Sequence, residues 1–216
     1  MNLLSSTSIF GFYTLLSRIL GYLRDILIAF FLGTSVYADA FFVAFRLPNT
    51  FRRLFAEGTF NAAFIPSYAK ARLEGEDQGR KFANEVFNLL LFFLIFLILI
   101  VEIFTPFVVY LIAPGFYDDP EKFSLVTEFT RITFPFLLFV CLSSLLSGIL
   151  NTNNKFAVAA AAPIVLNIIL IFSLIFSFYF GKNFAKNLSI GVTLAGVLQL
   201  VILIFFTRKI YFPSIK

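Results

Sequence analysis

Long apolar runs separated by short polar connections follow one another along the whole chain. A helix needs ~20 apolar residues, rising 1.5 Å each, to cross the hydrocarbon of a bilayer. On that ruler the pattern predicts six transmembrane helices, at about 7–33, 37–65, 82–112, 123–150, 157–180 and 188–208. The fold class is all-α, a polytopic membrane helix bundle, with residues 1–216 forming a single membrane domain. The first run is not a cleavable signal, because Arg18, Arg24 and Asp25 interrupt it and no small-residue cleavage site follows.

The connections read as turns. Residues 113–122, APGFYDDPEK, carry a Pro-Gly turn; residues 66–81 form a solvated loop; NTNNK at 151–155 is a tight reversal. Cations set the orientation. Lys70, Arg72, Arg80, Lys81, Lys155, Arg208, Lys209 and Lys216 fall on one side, against Lys122, Lys182 and Lys186 on the other. The richer side is cytoplasmic, which places both termini inside. Tyr13, Tyr68 and Tyr211 then sit at inner helix ends, and Tyr37, Tyr110, Tyr117 and Tyr179 at outer ends, where interfacial aromatics belong. Tyr22 alone is mid-span and is expected to line a polar cavity.

The six runs are not alike. From Val86 to Val101 the third has only Asn88 as a polar interruption, and it can face lipid all round. The fifth and sixth contain Ala157–Ala162, Gly191, Ala195 and Gly196, small residues that let membrane helices approach closely. The first two carry Arg18, Arg24, Asp25, Asp39, Arg46, Arg52, Arg53 and Glu57. A charge at the centre of a membrane helix costs roughly 2.5–3.5 kcal/mol on insertion scales, so such residues read as functional by default.

Composition agrees and narrows the chemistry. Hydrophobic residues make up 60% and charged residues 13%, and the mean hydropathy is +0.93. There is no histidine, which removes histidine acid–base chemistry and histidine-ligated zinc. Cys141 is the only cysteine and lies in an apolar run, where it packs as a small hydrophobe. The 33 phenylalanines read as filling for lipid-facing positions. No cofactor, metal or nucleic-acid partner is expected.

At about 100° per residue, Arg18, Gly21, Asp25 and Ala29 share one face of the first helix, with Arg24 one step round. On the second helix the stripe is Asp39, Arg46, Asn49, Arg53 and Glu57. Pro48 kinks that helix and loosens the register beyond it, so either Arg52 or Arg53 could face a cavity. Three readings compete. The acids pair with arginines and lock the two helices together; surplus arginines bind an anion; or Asp39 or Glu57 couples protons. Five arginines against three carboxylates leave two positive charges that pairing cannot remove. Arginine's planar fork suits phosphate or carboxylate, and an acid among arginines titrates low, against proton coupling.

The segments SRILGYLRDILIA at Ser17–Ala29 and ADAFFVAFRLPNTFRRLFAEGTFNAAFIP at Ala38–Pro66 closely resemble the N-terminal signature of the MurJ (MviN) lipid II flippases. APGF at Ala113–Phe116, ITFPFLL at Ile132–Leu138, GILNTNNKF at Gly148–Phe156, APIVLNI at Ala162–Ile168 and AGVLQL at Ala195–Leu200 extend the likeness over essentially the whole chain. The resemblance implies the multidrug/oligosaccharidyl-lipid/polysaccharide exporter superfamily, with two six-helix lobes around a central cavity. It also implies a bacterial inner-membrane protein that carries lipid II from the inner to the outer leaflet by alternating access. The family's cavity arginines match Arg18, Arg24 and Arg52, which would hold the substrate pyrophosphate and favour Arg52 over Arg53. Asp25, Asp39, Asn49 and Glu57 match polar positions that pair with the arginines or form gates, and Arg46 stands where relatives often have lysine.

Family members have about fourteen spans, so a missing C-terminal lobe or a second copy is expected to complete the cleft. Other classes weigh less. A drug exporter for organic cations calls for an acidic cavity, and an enzyme on polyprenyl pyrophosphates calls for clustered acids or a histidine. An exporter of polysaccharide-repeat lipids shares the pyrophosphate, and a non-transporting lobe would carry no substrate.

Overall fold

The computed structural model describes the backbone of residues 3–57, 59–181 and 183–214, and the side chains of Ser8 and of residues 11–53, 60–181 and 183–214. Among these residues every regular element is helical: α1 (Leu3–Leu32), α2 (Val36–Glu57), α3 (Thr59–Leu73), α4 (Glu76–Ile103), α5 (Thr105–Ile112), a 3-10 turn (Pro114–Phe116), α6 (Pro120–Thr133), α7 (Phe136–Thr152), α8 (Phe156–Phe180) and α9 (Phe184–Thr207). Four stretches, Glu76–Ile103, Pro120–Thr152, Phe156–Phe180 and Phe184–Thr207, are long and apolar enough to cross a membrane. The charged helices α1 and α2 are not in that set.

Three expected spans differ from the observed helices. Over 37–65 the described residues lie in two helical stretches, α2 as far as Glu57 and α3 from Thr59. The second of them runs on through Pro66 to Leu73, with Lys70 and Arg72 favourably placed in its last turn. The loop expected over 66–81 therefore shrinks to a reversal at Glu74–Gly75, where Gly75 has a φ of 145° that few other residues adopt. Glu76 and Asp77 then open α4 at the helix end that favours acids. The run 82–112 breaks at Phe104, and 123–150 breaks at Phe134–Pro135. NTNNK lies partly inside α7; the turn proper is 153–155, with Asn154 left-handed at a φ of 59°.

Prolines inside α2 and beside the breaks at 104 and 134–135 pose a common problem. A proline inside a span leaves the carbonyl four residues earlier without its helical donor, and hydrocarbon offers no water instead. Pro48 frees the carbonyl of Ala44, which accepts from Thr133 Oγ1 on α6 at 3.2 Å. Pro106 frees that of Glu102, which accepts from Thr105 Oγ1 at 3.0 Å. Beside Pro135, the carbonyl of Ile132 accepts from Thr193 Oγ1 on α9. Threonine hydroxyls thus meet the carbonyls freed by Pro48 and Pro106, and one beside Pro135.

The core centres on α7, whose Leu145, Leu146, Ile149 and Leu150 are fully enclosed. α7 packs against α2, α3, α4 and α9, while α8 lies between α1 and α9. Small residues set the spacing: a Cβ on Gly191 would overlap Ser173 Oγ, and one on Gly196 would lie 2.7 Å from Phe136 Cδ2. Phenylalanine divides between two roles. Phe41, Phe129, Phe134 and Phe136 are core, whereas Phe92, Phe93 and Phe96 on α4 and Phe172, Phe176 and Phe180 on α8 are exposed. An apolar surface of that extent suits lipid and not water. Cys141 is a buried free thiol within α7, as its apolar run suggested.

Replacing Thr133 by isosteric valine is expected to leave the Ala44 carbonyl orphaned and cost about 1–3 kcal/mol. A lowered midpoint of thermal unfolding in detergent would register it. Gly196→Ala is expected to be destabilising by about 1–3 kcal/mol through overpacking. Gly11→Ala, with nothing within 4 Å of the new Cβ, is expected to leave the midpoint unchanged or raised in the same measurement.

Candidate functional site

Ionic locking of α1 to α2 would demand close packing between them. The two helices make little direct contact, because α1 packs along α8 while α2 packs on α6 and α7. The space left between them is a cavity of about 620 Å³. α1 contributes Thr14, Ser17, Arg18, Gly21 and Arg24, and α2 contributes Phe45, Asn49 and Arg52. α7 presents Val140, Ser144, Ser147 and Asn151; α8 presents Asn167 among others; α9 adds Gln199. On α2 and α7 the steps are three and four, and on α1 Thr14, Ser17, Gly21 and Arg24 follow the same rule with Arg18 beside Ser17, so each row is one helical face.

Arg18, Arg24 and Arg52 all stand on this wall. Among the described residues no carboxylate does. Arg24 is held most firmly: its Nε and Nη2 donate to Asp25 Oδ1 at 2.9 and 2.7 Å, and its Nη1 donates to Asn167 Oδ1 at 2.9 Å. The same Asn167 amide donates from Nδ2 to the Ser17 carbonyl at 2.9 Å, tying α8 to α1 in both directions. Arg24's side chain is 19% exposed and Asp25's 60%, so the acid approaches from the open side of the pair. Arg52 Nε donates to Asn49 Oδ1 at 3.0 Å, one turn back on α2. Arg18 is exposed and makes no ion pair among the described residues.

The predicted faces were rotated from the observed ones. On α1 the cavity row is Thr14–Ser17–Arg18–Gly21–Arg24, and neither Asp25 nor Ala29 lines it. Ile28, four residues beyond Arg24 and only 2% exposed, anchors the helix with the Arg24 face inward. Tyr22 falls off that face, 71% exposed, and does not line the cavity as expected. On α2 the row is Phe45–Asn49–Arg52; Asp39, Arg46 and Arg53 are exposed and do not line it. The side chain of Glu57 lies outside the described residues.

Several wall residues had no sequence warrant as site residues. Asn167 and Gln199 are lone amides in apolar runs, only 6% and 8% exposed, and their isolation was the available signal. Asn61 donates to Ser144 Oγ at 3.1 Å and links α3 to α7 below the arginines. Pro163 cannot donate to the carbonyl of Ala159, and both border the cavity, adding a polar atom to an otherwise apolar stretch of α8. Two more charges inside spans, Glu102 and Arg131, lie away from it.

Residues 28–216 match the family described as Lipid II flippase MurJ. Arg18 and Arg24 precede that stretch, but whole-chain similarity includes them. A probable lipid II flippase MurJ of Rickettsia prowazekii (strain Madrid E) is 41% identical over 217 residues, covering 100% of this chain and 43% of that protein. One from Rhizobium meliloti (strain 1021) is 47% identical over 172 residues, covering 79% and 32%. Among solved structures, a lipid II flippase MurJ in an inward closed conformation superposes with a TM-score of 0.79 at 30% identity, covering 93% of this chain and 41% of that one. The chain thus spans well under half the length of these relatives.

If the cavity admits water, single cysteines replacing Arg18 or Arg52 are expected to react with a charged maleimide. A cysteine at Leu170, 1% exposed, is expected to stay unlabelled. The measurement is mass spectrometry of the intact chain in a Cys141→Ala background.

Proposed function

This chain belongs to the lipid II flippase MurJ family, and on that premise we propose that it carries the pyrophosphate-binding half of a lipid II flippase. The observation that carries the reading is the convergence of Arg18, Arg24 and Arg52 on one cavity whose wall has no carboxylate among the described residues. Guanidinium groups donate in pairs to phosphate oxygens and are only weakly hydrated, which suits an anion moving between water and a bilayer. Arg24 is pre-oriented by Asn167 and Asp25, so little rotamer freedom is lost when a phosphate arrives.

The role is that of a carrier and not a catalyst. Residues 1–216 act as one membrane domain, the N-terminal lobe, and a second lobe closes the far side of the cavity. That lobe comes from continuation of the same polypeptide or from a partner copy. Alternating access then means that the two lobes rock about the bound pyrophosphate. Both termini of the lobe are cytoplasmic in the bacterial inner membrane, and Asn49 holds Arg52 much as Asp25 holds Arg24. Asp39, Arg46, Arg53 and Glu57 act as supports or gates, and not on the phosphate.

Binding of a polyprenyl pyrophosphate to the chain in nanodiscs tests this. A charged hydrogen bond contributes about 1.5–3 kcal/mol, so the Arg18→Ala, Arg24→Ala, Arg52→Ala triple variant is expected to lose affinity by about a hundredfold or more. Lysine at the three positions restores part of it, having the charge without the fork. Unchanged affinity in the triple alanine variant contradicts the proposal.

A further inference from the structure

The wall of the cavity has two chemistries. α1 and α2 bring the guanidinium groups, whereas α7 brings only neutral polar groups: Ser144, Ser147 and Asn151, at spacings of three and four along one face. Apart from Ser143 and Thr152 the rest of α7, FLLFVCLSSLLSGILNT, is apolar, so this row is the polar face that a core helix turns to the cavity. Ser144 is already engaged, accepting from Asn61 Nδ2. Asn151 is not: its Oδ1 is shielded from solvent and has no hydrogen-bond partner. A buried carboxamide oxygen without a donor is uncommon and costs free energy until something supplies one.

Neutral hydroxyls and amides compete poorly with guanidinium for phosphate. They match groups that both donate and accept, such as the hydroxyls and acetamido groups of a carbohydrate. The terminal torsion of asparagine is soft, so a small rotation turns either end of the Asn151 amide towards the cavity. Resting on the pyrophosphate reading above, we infer that the Ser147–Asn151 row is a neutral-headgroup subsite that reads the sugar attached to the pyrophosphate. Asn151 is its specificity-determining residue. The arginines supply affinity for the anion common to many polyprenyl lipids, and α7 distinguishes those that carry a sugar.

The experiment compares two probes on the chain in nanodiscs: a polyprenyl pyrophosphate, and the same lipid bearing one N-acetylated sugar. Wild type is expected to bind the sugar-bearing lipid about tenfold more tightly. Asn151→Leu is expected to abolish that preference and leave the bare pyrophosphate unaffected, with Ser147→Ala shifting the ratio in the same direction by less. An equal loss for both lipids marks Asn151 as merely structural and overturns the inference, as does an unchanged ratio in both variants. Equal wild-type binding of the two lipids overturns it too, while the pyrophosphate reading survives. Wild type that binds neither probe brings down both.

Discussion

A polar group inside hydrocarbon has no water to fall back on, and every unusual feature of this chain answers to that constraint. The same rule governs backbone and side chain. The carbonyls opened by Pro48 and Pro106, and that of Ile132 beside Pro135, are met by Thr133, Thr105 and Thr193. The Arg24 guanidinium is met by Asp25 and by an asparagine reaching across from α8. Where proteins in water leave such groups to solvent, this bundle places a short polar side chain opposite each of these.

That accounting explains why a cavity exists. α1 is drawn to α8 by the two-ended Asn167 contact and by Ile28, and α2 is drawn to α6 and α7 by Phe41 and the Thr133 bond. Two helices consecutive in sequence are thereby pulled onto different partners, and the arginines they carry face the gap. Charged rows that would be costly against lipid stand instead around a space that water or an anion can fill. Tight approach elsewhere, as at Gly191 and Gly196 between α8, α9 and α7, keeps the remainder dry.

Much of the architecture is legible from the chain alone, because long apolar runs in α4, α8 and α9 have few alternatives to spanning helices. The divisions at 104 and 134–135 are less so. A proline can bend a helix or end it: α2 continues through Pro48 while helices end at Phe104 and Phe134. Two of the hydroxyls that meet the exposed carbonyls come from other helices, which local sequence does not encode. The site was legible as chemistry but not as orientation. Arg18 and Arg24 declared themselves as charges in apolar runs, whereas only the family resemblance favoured Arg52 over Arg53. The inward turn of Arg24 in place of Asp25, and the outward turn of Tyr22, follow from packing of Ile28 against other helices. Asn167, Gln199 and Asn151 are single neutral residues whose roles depend wholly on what they meet across the fold. The helical period assigns faces; tertiary packing decides which face looks inward.

The central claim is that the space between α1 and α2 receives the phosphate end of a lipid. Photo-crosslinking measures that directly, with a polyprenyl pyrophosphate bearing a photoreactive group next to the phosphates, followed by peptide mapping. The account predicts adducts within Thr14–Arg24 and Phe45–Arg52, removed by excess unlabelled lipid. Adducts confined to the lipid-facing surface of α4 around Phe92–Phe96, and indifferent to competitor, would contradict it.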